Sequence, residues 1–466
     1  MKKIVTYLLA LFLAIGFLVS CKKAAEDKAD IYKAPLLIAQ PISDAAPLCG
    51  AIKGTMLSGK TYIIGCDIVV NKGDTLFLQP GVRINVATNA AIIVKGTFVS
   101  NGTQLMPNWI TVNAVIKNDV PGADPATDPA FAGKWKGLYA DTSCMLMVLK
   151  YTHLEFAGAA LGSTTSPLIA NTSNTSSFSV LFQNYNGSFV MEDSWTYGGV
   201  DDPVRISSGN IALFRNTMEK GGLNGGDGFN VKGGTVGDMA YNLFVGNATS
   251  GQKVSNKGQP IGAPTSNIIM YNSTFINCGY RQIQTGRGAN INFEEGARGK
   301  FYNNLAVNCK FGYRVVKTPV ADTANLFYGN NYQYADSLLV ANQFFPVGYI
   351  TRPKTTDMPL PSTYLPANYT LGSSYYGAGA VQTGNPLFIN YPLPVTGAVK
   401  LRDIATVGNF NFRLQASSPC IGKGYIGFNL SPLQKVAIDP IFGVSYYPQP
   451  GNDVGCFQFN GSGNNH

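Results

Sequence analysis

The sequence predicts an all-β chain folded as a single right-handed parallel β-helix, a solenoid carrying long loop insertions. Three observations predict it. A short motif recurs at intervals close to one solenoid coil. Gly 52, Tyr 24 and Phe 26, with only 13% charged residues, suit short strands joined by tight turns. Long amphipathic helical periodicity is hard to find anywhere in the body of the chain.

The motif is an aromatic or apolar residue, a small polar residue, then an apolar strand. It occurs as Lys150-Tyr151-Thr152-His153-Leu154-Glu155-Phe156, Met191-Glu192-Asp193-Ser194-Trp195-Thr196-Tyr197, Phe214-Arg215-Asn216-Thr217-Met218, Ala240-Tyr241-Asn242-Leu243-Phe244-Val245, Met270-Tyr271-Asn272-Ser273-Thr274-Phe275 and Phe301-Tyr302-Asn303-Asn304-Leu305-Ala306. Aligned on Thr152, Asp193, Asn216, Asn242, Asn272 and Asn303, the steps are 41, 23, 26, 30 and 31 residues. Steps of this size match one coil, and the longest leaves room for a loop across the Ser/Thr/Asn-rich segment 162–188. An Asn at the same bend of successive coils passes side-chain amide hydrogen bonds up the stack and satisfies polar groups the turn would bury. Cys278 and Cys309 share a register in adjacent coils, about 4.8 Å apart in a parallel ladder, and are either stacked thiols or a bridge.

The start of the chain reads as an address. Lys2 and Lys3 precede an apolar stretch, Tyr7 to Val19, that is short for a membrane span, so residues 1–20 read as a signal peptide. Leu18-Val19-Ser20-Cys21 resembles the lipobox of bacterial lipoproteins, which implies lipidation of Cys21 and anchorage to a membrane. Lys22 in place of Asp favours the outer membrane, and a lipid-anchored protein exposed at the cell surface is expected. Residues 21–45 then form a flexible tether rich in charge and alanine.

About 420 residues follow without a second linker, so one elongated domain over 46–460 is expected. Between 318 and 383 the coil pattern fades into prolines and aromatics such as Phe344, Phe345, Tyr375 and Tyr376. That stretch reads as a loop-rich insertion whose aromatics either pin the loop or offer sugar rings a platform. The net charge is +9, but the cations are dispersed and no RNA-binding signature appears. Nucleic acid is therefore not an expected partner; an anionic glycan or lipid surface is. Eight cysteines leave seven once Cys21 is lipidated, so at least one stays unpaired unless a bond forms between molecules. Cys49 with Cys66, and Cys420 with Cys456, suit clips at the two ends of the domain. With two histidines and no zinc-type cysteine spacing, no metal site is expected.

Both ends of the domain resemble pectate-lyase-like right-handed β-helix proteins. Gly73-Asp74-Thr75-Leu76-Phe77-Leu78-Gln79-Pro80-Gly81-Val82, Ala91-Ile92-Ile93-Val94-Lys95-Gly96-Thr97 and Trp135-Lys136-Gly137-Leu138 are similar to their opening coils. Gly384-Asn385-Pro386-Leu387-Phe388, Phe412-Arg413-Leu414 through Cys420, and Asp453-Val454-Gly455-Cys456-Phe457 are similar to their ending. With the lipobox, the chain looks like a β-helix repeat lipoprotein of Bacteroidota. The likeness speaks for architecture, since fold does not imply function.

The repeat also yields an alignable face. Pro203-Val204-Arg205-Ile206, Gly228-Phe229-Asn230-Val231-Lys232, Arg281-Gln282-Ile283-Gln284 and Gly312-Tyr313-Arg314-Val315 are expected in one sheet. Alternation points Val204, Ile206, Phe229, Val231, Ile283 and Val315 inward, and Arg205, Asn230, Lys232, Gln282, Gln284 and Arg314 into an outer groove. Asp201, Asp202, Asp227 and Arg281 fall at the turn before these strands. The resemblance implies a polysaccharide along such a groove, with carboxylates binding calcium or acting as acid, and Lys or Arg taking the proton beside a uronate carboxylate. Asp202 and Asp227 are then the glycosidase-type carboxylates, and Lys232 or Arg281 the lyase base, although the Gly-His-Gly segment of polygalacturonase-type enzymes is absent. Glu294-Glu295 is the acidic pair calcium would use. Three functions follow: a surface lipoprotein binding extracellular polysaccharide beside a TonB-dependent importer; a polysaccharide lyase or glycoside hydrolase; or a non-catalytic structural or adhesion subunit.

Overall fold

The computed structural model describes residues 40–118, 124–284, 286–315, 319–335, 384–391 and 410–465. Residues 1–39, and with them Cys21, lie outside the described residues, as do the aromatics of 336–383. Among the described residues no helix is long and apolar enough to cross a membrane.

The chain winds as a parallel β-helix with three faces. The first face is a ten-stranded sheet running from Gly54–Met56 to Leu326–Gly329. The second carries Arg83–Val86, Asn108–Thr111, Thr152–Glu155, Trp195–Tyr197, Thr217–Glu219, Leu243–Val245, Thr274–Ile276, Leu305–Val307 and Tyr332–Tyr334, each paired in parallel with the next. The third carries Ala91–Val94, Gly137–Ala140, Val180–Phe182, Val204–Ile206, Phe229–Val231, Ser250–Ser255, Ala289–Glu294 and Arg314–Val315. Thr61–Val70 is long enough to run through both of these faces, pairing Thr61–Ile64 with one and Ile68–Val70 with the other. Alternating side chains fill the bore with stacked apolar groups, including the parallel rings of Phe244 and Phe275 at 5.0 Å and of Phe301 and Tyr328 at 4.8 Å.

The corner before the second face explains the repeat. Tyr151, Asp193, Arg215, Tyr241, Asn272, Asn303 and Asn330 all have φ between +44° and +59°. This left-handed step turns the chain, and Asn tolerates it better than most residues. The next residue points inward. Asn216 Oδ1 accepts the Ser194 amide at 3.0 Å, Asn242 Oδ1 the Asn216 amide at 2.9 Å, Asn304 Oδ1 the Ser273 amide at 3.0 Å, and Asn331 Oδ1 the Asn304 amide at 3.1 Å. The expected alignment is thus correct at Thr152, Asn216 and Asn242 but one residue early elsewhere. Ser194, Ser273 and Asn304 hold the inward places; Asp193, Asn272 and Asn303 are the strained corners themselves.

The expected insertion begins too early at 318, because Leu326–Gly329 and Tyr332–Tyr334 add one more rung to the first and second faces. The far end departs from the solenoid. Phe388–Asn390 pairs antiparallel with Asn411–Leu414, and the chain then runs as a strap along the outside of the coils. It bonds Asn303 through the Tyr425 amide, Asp238 through the amides of Leu433 and Gln434, and Lys150 through the carbonyls of Asp439 and Pro440. It then turns back, touching Glu192 at Ser445, Tyr271 at Pro448 and Asn272 at Gly451. Beneath it lies an outward apolar strip including Val148, Val190, Ile269, Val245 and Ile276, each worth about 1.5–3 kcal/mol when covered.

Cys49 and Cys66 form a disulfide at the first coil. Cys420 and Cys456 do not pair; both are buried free thiols in the strap's apolar cluster. The Cys420 carbonyl accepts the amide of Val454, so Val454 and not Cys456 is its neighbour in the strap. Cys278 and Cys309 are stacked free thiols. Replacing Asn242 by Ala should cost about 2–3 kcal/mol, because the Asn216 amide loses its acceptor inside the stack. Melting curves of the wild type and of Asn242→Ala check this.

Candidate functional site

The third face opens into a cleft of about 370 Å³ over the coils that begin at Val204. Its floor is one outward row in strict register, Arg205, Asn230, Lys253, Asn292 and Arg314, one side chain per coil. Lys232, Ser255 and Glu294 form a second row two residues further along the same strands. All six expected groove residues, Arg205, Asn230, Lys232, Gln282, Gln284 and Arg314, line this cleft, together with Asp201, Asp202 and Asp227.

Arg281 does not line it. Its side chain is 7% exposed, donates to the carbonyls of Gly221 and Gly222 at 2.9–3.0 Å, and stacks 4.5 Å from the Phe131 ring. The segment Arg281–Gln284 is loop and not strand: Ile283, expected inside, is 69% exposed. The strands that occupy this part of the face are Ser250–Ser255 and Ala289–Glu294, so the sequence reading missed Lys253 and Asn292 and named Glu294 only as half of an acidic pair, not as part of the groove. The alternation Ala289-Asn290-Ile291-Asn292-Phe293-Glu294 is a clean period of two and is the available signal for Asn292 and for the side of the sheet Glu294 takes. Lys257 and Arg287 on flanking loops complete the missed cations.

The acidic groups are mostly committed. Asp202 Oδ1 accepts the amide of Asp227, and Asp227 Oδ1 accepts the amide of Ser250, so the carboxylates form a ladder between coils. Asp202 Oδ2 takes Arg205 at 2.8 Å and the Asn230 amide group at 2.9 Å. Burial pushes Asp227 up from the ordinary carboxylate range, opposed by Lys253 and reinforced by Asp202. Asp201 is pushed up to about 7 by burial and then by the charge of Asp202. Glu294, despite burial, is held at about 2, chiefly by Lys253 at 2.9 Å, with Asn292 and Arg314 adding to the effect. Glu295 is hydrogen-bonded by the Ser255 hydroxyl. Among the described residues no group of three or more acidic, His or Cys side chains is placed to hold a metal ion.

Lys232 stands apart. It is 9% exposed, its ammonium has no hydrogen-bond or ion-pair partner among the described residues, and its pKa is lowered to about 8 by burial and by the neighbouring charges of Lys253 and Arg205. Beside it Asn230 Oδ1 and Arg205 Nε are buried without partners. Such a cluster of unspent polar atoms at a cleft is where a ligand supplies the missing bonds.

Comparison with known proteins returned no matching family model, no matching curated protein and no matching solved structure. Arg281 separates packing from binding. Arg281→Ala should cost about 2–3 kcal/mol by orphaning the Gly222 carbonyl, while anion affinity in the cleft stays unchanged; denaturation and titration with a polyuronate measure the two effects separately.

Proposed function

We propose that this chain binds an extracellular acidic polysaccharide along the third-face cleft, acting as a surface lipoprotein that serves a glycan-uptake system. The observation that carries the reading is the ammonium of Lys232, unpaired and flanked by Arg205 and Lys253, beside the free acceptor of Asn230. A carboxylate entering there gives Lys232 the counter-ion it lacks, and a sugar hydroxyl donates to Asn230 Oδ1. The parallel register supports an extended polymer, because one rung of about 4.8 Å suits a chain lying along the solenoid axis. The lipobox-like Leu18-Val19-Ser20-Cys21 and the tether behind it support the location at the outer membrane, and a TonB-dependent importer is the partner such a position serves. The mutation Cys21→Ser should move the protein from the membrane to the soluble fraction on cell fractionation.

A second reading, a lyase that cleaves uronate polymers by β-elimination, is favoured by the same lysine. A base works best with a pKa near the working pH, and Lys232 at about 8 is closer to that than an ordinary lysine. Asp202 and Asp227 suit a hydrolase less, since each already spends an oxygen on a backbone amide.

Arg205, Lys232 and Arg314 changed together to Ala should abolish binding to polyuronate, and unchanged affinity removes the cleft from the account. Absorbance near 235 nm then separates the readings, since only elimination makes unsaturated ends. The pH dependence has opposite signs. Folding depresses the Lys232 pKa, so the free cleft loses its charge as pH rises through about 8, and binding weakens there. A base gains activity over the same rise. In Lys232→Arg the fall in affinity around pH 8 should vanish, leaving only the earlier fall near pH 7 as Asp201 gains its charge.

A further inference from the structure

The cleft is blind at one end. The outward row of Arg205 continues toward the start of the solenoid as Leu181, Tyr139 and Ile93. These are no longer floor: each is buried beneath Leu161, Ile169 and Phe178 of the loop 161–178. The loop is tied down, with the Ala170 amide on Asp141 at 2.8 Å and the Gln183 side chain on the Ala170 carbonyl at 2.7 Å. Its Phe178 ring lies 5.0 Å from the Arg205 guanidinium carbon. A polymer lying on the row therefore meets a wall at Arg205, in the coil next to the unpartnered atoms of Asn230 and Lys232.

We infer that the cleft takes the end of an acidic polysaccharide and not an internal stretch. The inference rests on the binding reading above and adds the part of the polymer that is recognised. An internal sugar carries a glycosidic link on both sides, and the second link has no path past Phe178. A terminal sugar has a free hydroxyl there instead, and Asn230 Oδ1 is an acceptor without a donor. Its carboxylate meets Lys232 and Arg205. From Arg205 to Arg314 the row spans four rungs, roughly 19 Å, so affinity should rise with oligomer length over the first four or five sugars and then level off.

Stoichiometry tests this with the intact protein. Polygalacturonate, alginate and hyaluronan, each fractionated by length, are titrated into the protein by calorimetry. End recognition gives one protein per polymer chain whatever the length. Internal binding gives a number that grows with length, and that result overturns the inference while leaving the binding reading in place. Failure of every polymer to bind sinks the binding reading and the inference with it. A variant with residues 161–178 replaced by a short Gly-Ser turn, which removes Leu161, Ile169 and Phe178, opens the blind end; if it folds, its stoichiometry should begin to scale with chain length. If it does not fold, the wild-type titration alone decides.

Discussion

Everything in this solenoid depends on a two-residue corner: a left-handed residue that turns the chain, followed by a small polar side chain that points inward and accepts the backbone amide of the coil before it. Asn216 and Asn242 show the unit, each accepting at its Oδ1 the backbone amide of the coil before it. The corner fixes where the next strand begins, hence which side chains stack and which face outward. The row on the third face that ends in Arg314 exists because the coils are held in this register.

The cleft turns that regularity into chemistry by breaking charge balance. Along the row, Arg205 answers Asp202, while Lys253 and Arg314 share Glu294. Lys232 is left without an ion pair, and the charges of Lys253 and Arg205 near it outweigh those of Asp202 and Asp227. Burying an unpaired ammonium costs stability, and the apolar stack of the coils beneath it bears that cost. A cost of this kind placed in an open cleft is what an anionic ligand relieves.

Much of this was legible in the residues. Val204-Arg205-Ile206 and Phe229-Asn230-Val231-Lys232 alternate cleanly, so their outward members were readable. Arg281-Gln282-Ile283-Gln284 alternates just as well and misled, since a loop can mimic a period of two over four residues. Ser250–Ser255 was invisible because Val254 is the one large apolar residue it turns inward. The one-residue slip at Asn272-Ser273 and Asn303-Asn304 has a simple origin: both residues of each pair are polar, and only backbone dihedrals tell the corner from the acceptor. The strap has no repeat to read, and its path follows from outward apolar residues that a bare β-helix would leave wet.

That strap changes how the rod comes apart. A simple solenoid is a chain of nearest neighbours that can fray from either tip. Here one covalent segment reaches from the coil of Lys150 to the coil of Asn303 and back, so the coils between them share a common brace. Loosening any of them means peeling the brace as well, which converts a gradual fraying into a cooperative event and leaves the coils before Lys150 as the section free to breathe.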